Sequence, residues 1–171
     1  MKLEDFVAIH EITQLKYRYV RAVDTQDWDL LRSCFAADSR VWYDGGAHSF
    51  SGRETIAQAL SSMMKPSIYS SHIAIHPEIT LTGPTTAKGN WRFEDMVHFT
   101  EADPSLKVQG LKGGEELTCA GYYYDEYVKE DGQWKIASTG YVRLFEAIEP
   151  QEGRPGLQLR IEKERGKLAK A

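Results

Sequence analysis

The chain has 171 residues, 42% of them hydrophobic and 27% charged, with a formal net charge of -4. That length suits one domain that buries a core and still encloses a small-molecule cavity, and that balance lies outside the disordered range. No basic block precedes the C-terminus, which argues against nucleic acid as the main partner.

The opening, MKLEDFVAIH, carries acids where a signal peptide needs an unbroken apolar stretch, and no later apolar run is long enough to cross a bilayer. A soluble, cytoplasmic protein without a membrane partner is expected. From Leu3 to about Val23, apolar residues recur at helical spacing (Phe6, Ile9, Ile12, Leu15, Tyr19, Ala22), and Asp24 and Thr25 close the helix. A second helix follows in DWDLLRSCF, where Trp28, Leu31 and Phe35 share a face and Asp27 stands at the N-terminus. SRVWYDGG reads as strand then turn. SGRETIAQALSSMM restarts helical periodicity, with Ser51 and Glu54 at capping-box spacing.

After Met64 four long strands are expected: around IAIHPEITLTG, TAKGNWRFEDMVHF, EELTCAGYYYDEYVKEDG and QWKIASTGYVRLFE. EDGQW joins two alternating runs as a hairpin, and the Gly- and Lys-rich segment from Phe99 to Glu115 reads as a loop. Helices first and antiparallel strands after them imply an α+β domain with helices laid against one face of a curved sheet. The domain is expected to span 1–148. The remainder, 149–171, breaks at GRPG and reads as a tail, either frayed or packed on a neighbouring subunit. Cys34 and Cys119 fit no metal or redox spacing and stand beside apolar residues, so they read as reduced, buried thiols.

The chemistry centres on SSHIAIHPEI. As a strand it points His72, Ala74 and His76 one way, while Ile73 and Ile75 form the packing face. Two imidazoles four strand residues apart are separated by roughly 13 Å, too far to share one metal, so no metal is expected. His72 is then a proton-transfer group or an ordinary hydrogen-bonded histidine. An acid at a helix C-terminus, such as Asp24, opposes the helix dipole and invites another reason for its presence. Asp95 shares a strand face with Phe93 and Val97, and an acid there must be paired (with Arg143 or Arg92), protonated or functional. On a regular helix Tyr19 diverges from Asp24 by about 140°, whereas Tyr17 lies within about 20° of it, so either tyrosine could accompany the acid.

YRYVRAVDTQDWDLLRSCF, then SSHIAIHPEI, NWRFEDMVHF and GYYYDEYVKEDGQWKIASTGYVRLFE, resembles the SnoaL-like branch of the NTF2-like superfamily from about Leu3 to Glu146. Within it the pattern is most similar to bile-acid 7α-dehydratases and scytalone dehydratase-like lyases. The resemblance implies a cone-shaped α+β fold of cystatin type, with N-terminal helices in the concave face of a curved, largely antiparallel sheet. It implies a cofactor-independent hydro-lyase, with catalytic residues falling on Asp24, His72, Tyr19, Asp95 and Arg143. In that reading His72, oriented by Asp24, removes a proton next to a carbonyl, Tyr19 and Arg143 stabilise the enolate, and Asp95 protonates the departing hydroxyl.

Trp42, Tyr43, Met63, Trp91, Phe93 and Tyr141 are expected to line a cavity for a hydrophobic, polycyclic or steroid-like substrate, with His98 as a secondary member. A ketosteroid-type isomerase or a dehydrohalogenase would use the same Asp-His dyad. A non-catalytic NTF2-like binding or assembly domain would need only the cone. Relatives of this shape form trimers or dimers, so a homo-oligomer is expected by resemblance.

Overall fold

A computed structural model describes residues 2–101 and 113–151. Much of the expected loop from Phe99 to Glu115, and the tail from residue 152 with its expected packing on a neighbour, lie outside those residues.

Helix α1 (Leu3–Thr25) begins where the Lys2 backbone N–H donates to the Asp5 carboxylate at 2.7 Å. Its inward stripe is Ile12, Leu15, Lys16, Tyr19, Val20 and Val23, the 3-4 spacing of a helix lying on a sheet. The helix stops at Gln26, which adopts left-handed φ 55° and sends its side-chain amide to the carbonyls of Lys65 (2.9 Å) and Ile68 (3.3 Å). That tether fixes the C-terminal end of α1 against the start of strand β3 (Ile68–Gly83). Helix α2 (Trp28–Cys34) is capped by Asp27, whose carboxylate accepts from the Leu30 N–H at 2.9 Å. Phe35, expected in that helix, opens strand β1 (Phe35–Tyr43) instead.

Strand β2 (His48–Ser51) was hidden in the turn region of the sequence. It carries Ser51, so the expected capping box does not form. Gly52 takes the N-cap of α3 (Arg53–Met63) with φ 87°, and Glu54 bonds Arg32 instead. Strands β4 (Thr86–Phe99), β5 (Glu115–Glu130) and β6 (Gln133–Pro150) complete the sheet. The β5–β6 hairpin turns on Asp131 and Gly132, with φ 49° and 78°, the left-handed pair that a two-residue turn requires. Strand β6 runs two residues past the expected boundary at 148.

The sheet order is β2-β1-β6-β5-β4-β3, all antiparallel except β1 with β6. The three helices cover one face, and the core between them and the sheet includes Leu15, Leu31, Phe35, Ile56, Trp91, Phe93 and Ile136, all nearly or fully buried. Cys34 and Cys119 are buried free thiols. One expectation is reversed. Ala74 is buried beneath the helices, while Ile73 is 48% exposed on the other side, so the isoleucine face of β3 is the outer face of the sheet. Among the described residues no helix is long and apolar enough to cross a membrane.

Candidate active site

Because the Gln26 tether presses the end of α1 onto β3, Asp24 reaches that strand rather than the core. Its carboxylate accepts three hydrogen bonds from it: from the Ser70 hydroxyl (2.8 Å), the His72 backbone N–H (3.0 Å) and the His72 ring at Nδ1 (2.6 Å). A carboxylate acceptor at Nδ1 requires the proton there and leaves Nε2 as the free basic nitrogen. Both side chains are largely shielded, 15% and 23% exposed. Burial pulls the His72 imidazole down, but the Asp24 hydrogen bond and the charges of Asp95 and Asp24 outweigh it and leave the group above its ordinary value.

His72 lines a cavity of about 100 Å³ with Tyr19, Val20, Val23, Tyr43, Leu60, Met63, Met64, Tyr123 and Tyr141. The helical-wheel conflict over Tyr19 and Tyr17 resolves through geometry. Tyr19 points at the sheet and is buried, while Asp24 leaves the same helix sideways towards an edge strand, so the two need not share a face. Tyr17 stands 43% exposed with its ring edge against Trp91. The Tyr19 and Tyr43 hydroxyls meet at 3.0 Å, and burial raises both phenols well above their usual range. Tyr43 in turn stacks on Tyr141, with ring centroids 5.5 Å apart.

Asp95 lies directly across from His72 in the β3–β4 register, which places their side chains on one face as nearest neighbours. Burial, with the Asp24 charge, pushes its carboxyl up to about 6, against the opposing pull of His72, Arg143 and Lys16. Its Oδ1 is buried without a hydrogen-bond partner among the described residues, and the Cys119 thiol lies 3.9 Å from Oδ2. Asp95 therefore sits where a carboxyl can hold a proton near neutrality and hand it on.

Four expected lining residues stand elsewhere. Trp42 alternates with the inward Val41 and Tyr43, so it stacks on Tyr124 on the outer face. His98 alternates with the inward Val97 and Phe99, and its Nδ1 contacts Gln151 (2.6 Å) and Glu116 (3.3 Å) away from the cavity. Trp91 and Phe93 are inward but fully buried behind the wall. Trp91 donates to the Tyr127 hydroxyl at 2.9 Å, and Phe93 packs on Tyr123 and Tyr141. Arg143 is also not a wall residue. Its Nη1 is held by Asp44 (2.7 Å) and Glu146 (3.1 Å), and Nη2 donates to the Tyr141 hydroxyl at 3.2 Å, so it reaches the cavity wall through Tyr141. With two acids on the guanidinium, its charge is compensated before any substrate arrives.

The sequence reading gives no place in the site to Tyr123, Met64, Cys119 or the buried pair Lys16–Asp125. A signal existed for the last two. Lys16 interrupts the apolar stripe of α1, and Asp125 stands between Tyr123 and Tyr127 on the inward face of β5.

Residues 4–140 match the family described as SnoaL-like domain. The hexachlorocyclohexane dehydrochlorinase LinA-type3 from Novosphingobium barchaimii superposes with a TM-score of 0.74 at 16% identity, over 94% of this chain and 99% of its own. A candidate scytalone dehydratase from Novosphingobium aromaticivorans gives a TM-score of 0.71 at 20% identity, over 88% and 96%. A protein with a cystatin-like fold from Nostoc punctiforme gives 0.60 at 16%, over 84% and 93%. At these identities the likeness is one of fold.

Proposed function

Since the chain belongs to the SnoaL-like domain family within the NTF2-like superfamily, we propose that it is a cofactor-independent lyase that removes water from a hydrophobic, carbonyl-activated substrate. The observation that carries this reading is the 2.6 Å contact between Asp24 and His72 on the wall of a tyrosine-lined cavity. In the proposed reaction His72 Nε2 takes the proton from the carbon next to the carbonyl. The C–H electron pair forms the carbon–carbon double bond of the enolate and the carbonyl π pair moves onto oxygen, to which the Tyr19 hydroxyl donates. When the carbonyl re-forms, the β-carbon–oxygen bond breaks, and the leaving hydroxyl takes the Asp95 proton and departs as water. One turnover leaves His72 with an extra proton and Asp95 without one. Their cross-strand pairing gives that proton a short return path.

Arg143 serves in this reading as a brace for Tyr141 rather than a clamp, because Asp44 and Glu146 already occupy its guanidinium. A cavity of about 100 Å³ favours a single ring of the substrate at the dyad, and any further rings would project beyond it. A dehydrohalogenase is the second reading, favoured by the fold shared with a dehydrochlorinase. It would expel halide and need no proton from Asp95.

The test is to incubate the purified protein with small cyclic β-hydroxy ketones, 3-oxo steroids and their CoA esters, and to follow enone formation by ultraviolet absorbance. His72→Ala and Asp95→Asn serve as controls. Dehydration lost in both variants supports the lyase. Activity that survives Asp95→Asn but not His72→Ala points to a pure proton shuttle, and activity indifferent to His72 ends the proposal.

A further inference from the structure

Lys16 stands on the buried stripe of α1, and neither its side chain nor its backbone meets solvent. Burying an ammonium costs several kcal/mol even after relaxation, and an apolar side chain of similar volume would fill the site without that penalty. Its partner is Asp125 Oδ2 at 2.8 Å. Asp125 has donors besides the lysine: the Tyr127 and Thr139 hydroxyls each donate to it at 2.6 Å. Lys16 is the less satisfied partner, because beyond Asp125 its ammonium faces aromatic rings. Nζ lies 3.5 Å from the Tyr123 ring centroid and 5.0 Å from that of Tyr19. Both rings are walls of the cavity beside His72.

The geometry points to Lys16 as a positioning residue, a cation lodged behind Tyr19 and Tyr123 that favours negative charge on a substrate oxygen in the cavity. This rests on the reading of the cavity as a place where a carbonyl becomes an enolate. Lys16 does not touch the substrate. It acts through the two rings, holding their planes by cation–π attraction and drawing electron density from the phenols, so that the Tyr19 hydroxyl donates more strongly. Its charge also crosses only a few ångströms of dry protein, where screening is weak. The ionisable groups that share this field are Tyr19 and Asp24 from α1, Tyr43 from β1, His72 from β3, Asp95 from β4, Tyr123, Asp125 and Tyr127 from β5, and Tyr141 and Arg143 from β6. Burial pushes the Lys16 ammonium down, and Asp125 and then Asp95 oppose that. Lys16 in turn presses down the protons of His72 and Asp95.

A purely structural role, tying α1 to β5, would leave the electrostatics of the cavity unchanged when both charges are replaced, and this separates the two. The probe is 4-nitrophenol, a single ring that mimics an enolate when ionised and reports its ionisation by absorbance. Two variants remove the cation. Lys16→Met/Asp125→Asn leaves no unpaired buried charge, and Lys16→Gln keeps a donor for Asp125, so the test survives if either one fails to fold. The wild-type protein is expected to bind the probe as its anion below the pH at which free nitrophenol ionises. In the variants the ratio of bound anion to bound neutral phenol falls by roughly tenfold. The His72 imidazole, followed by NMR, is expected to titrate at a higher pH in the variants than in the wild type.

An unchanged ratio or an unchanged His72 titration overturns the proposal. So does a wild-type protein that binds no anionic probe. None of these readouts requires turnover, so failure of the lyase reading would appear separately, as β-hydroxy ketones left intact by the wild-type protein.

Discussion

The two faces of the β3–β6 sheet are built from the same strands by alternation, broken only at a few bulges, yet they do opposite things. The inner face carries His72, Asp95, Tyr123 and Tyr141 under the helices, where His72 bonds Asp24 while Asp95 Oδ1 has no partner among the described residues. The outer face carries Ile73, Met96, Val142 and Phe145, apolar side chains that the chain itself leaves uncovered, with Phe145 56% exposed. The face with the dyad became the interior, while the exterior mixes those apolar side chains with ion pairs such as Arg92–Glu94 and Lys88–Glu126. Alternation alone does not say which face the helices choose. That is why Ile73 and Ile75 read as the packing side in the sequence. The apolar stripe of α1 and the tether from Gln26, a tertiary contact, decide it.

The inner face breaks most completely at His72. His72→Ala is expected to lower the dehydration rate by about 10³-fold, in line with loss of a positioned general base. Asp24→Asn, which keeps the shape but loses the charge at Nδ1, should cost about 10²-fold. Thermal melts of both variants should stay close to the wild type. A His72→Ala protein with wild-type turnover would remove the dyad from the mechanism.

Asp95→Asn sharpens the contrast further, because the two effects should run in opposite directions. Activity should drop by roughly 10²-fold for want of the acid. Stability at pH 8 should rise by up to about 3 kcal/mol, since the native carboxyl is raised to about 6 from an ordinary 3.8. Between those values the native state binds the proton that the unfolded chain has released. The favourable contribution is therefore complete below about pH 3.8 and is lost as the pH rises through about 6. Urea titrations from pH 4 to 8 should show wild-type stability falling across this window, once the shared His72 contribution is subtracted with a His72→Ala background. The Asn variant should lack that slope. His72, raised above its ordinary 6.5, contributes in the same sense: its part is present below 6.5 and fades as the pH passes its folded value.

The sequence made the architecture legible because helix periodicity ends at Met63–Met64 and alternation begins after it, and because Asp131–Gly132 could only be a tight turn. It made Asp24, His72 and Asp95 legible through the resemblance, and period-two alternation put Asp95 on one face with Phe93 and Val97. What it hid has physical causes. Trp42 and His98 are one residue away from inward positions, and a one-residue shift flips a side chain to the other face. The parallel pairing of β1 with β6 joins segments nearly 100 residues apart, which no local pattern encodes. Arg143 could not be seen to be compensated, because Asp44, one of its two partners, comes from the turn after β1, at the far end of that same pairing.

Each face also depends on one glycine. A Cβ at Gly121 would strike the Phe93 ring and the Val142 carbonyl, and one at Gly140 would overlap the Trp42 indole. Either Gly→Ala change is expected to cost about 2–3 kcal/mol by chemical denaturation. The two should part company on rescue. Trp42→Ala clears the space at Gly140 and should restore most of the loss in the double variant, because only a side chain obstructs it. No side-chain change removes the Val142 carbonyl, so Gly121→Ala has no equivalent partner. Additive losses in Gly140→Ala/Trp42→Ala would show that the indole is not what requires the glycine.

The smallest effect on the fold is expected from the outer face. Phe145→Asp replaces an uncovered ring, so the stability of the single chain should move by less than about 0.5 kcal/mol, and the inner-face chemistry should be untouched. Its consequence should appear between chains. An exposed apolar surface formed by Ile73 of β3, Met96 of β4, and Val142 and Phe145 of β6, with β5 between β4 and β6, is suited to burial against another copy, and a charge placed at Phe145 would oppose that. Sedimentation is expected to find the wild type larger than one chain and Phe145→Asp shifted towards the monomer. A wild type that sediments as a single chain would mean that the outer face remains wet in solution. The apolar content of its strands would then reflect β-propensity alone, whereas that of the inner face reflects a buried site.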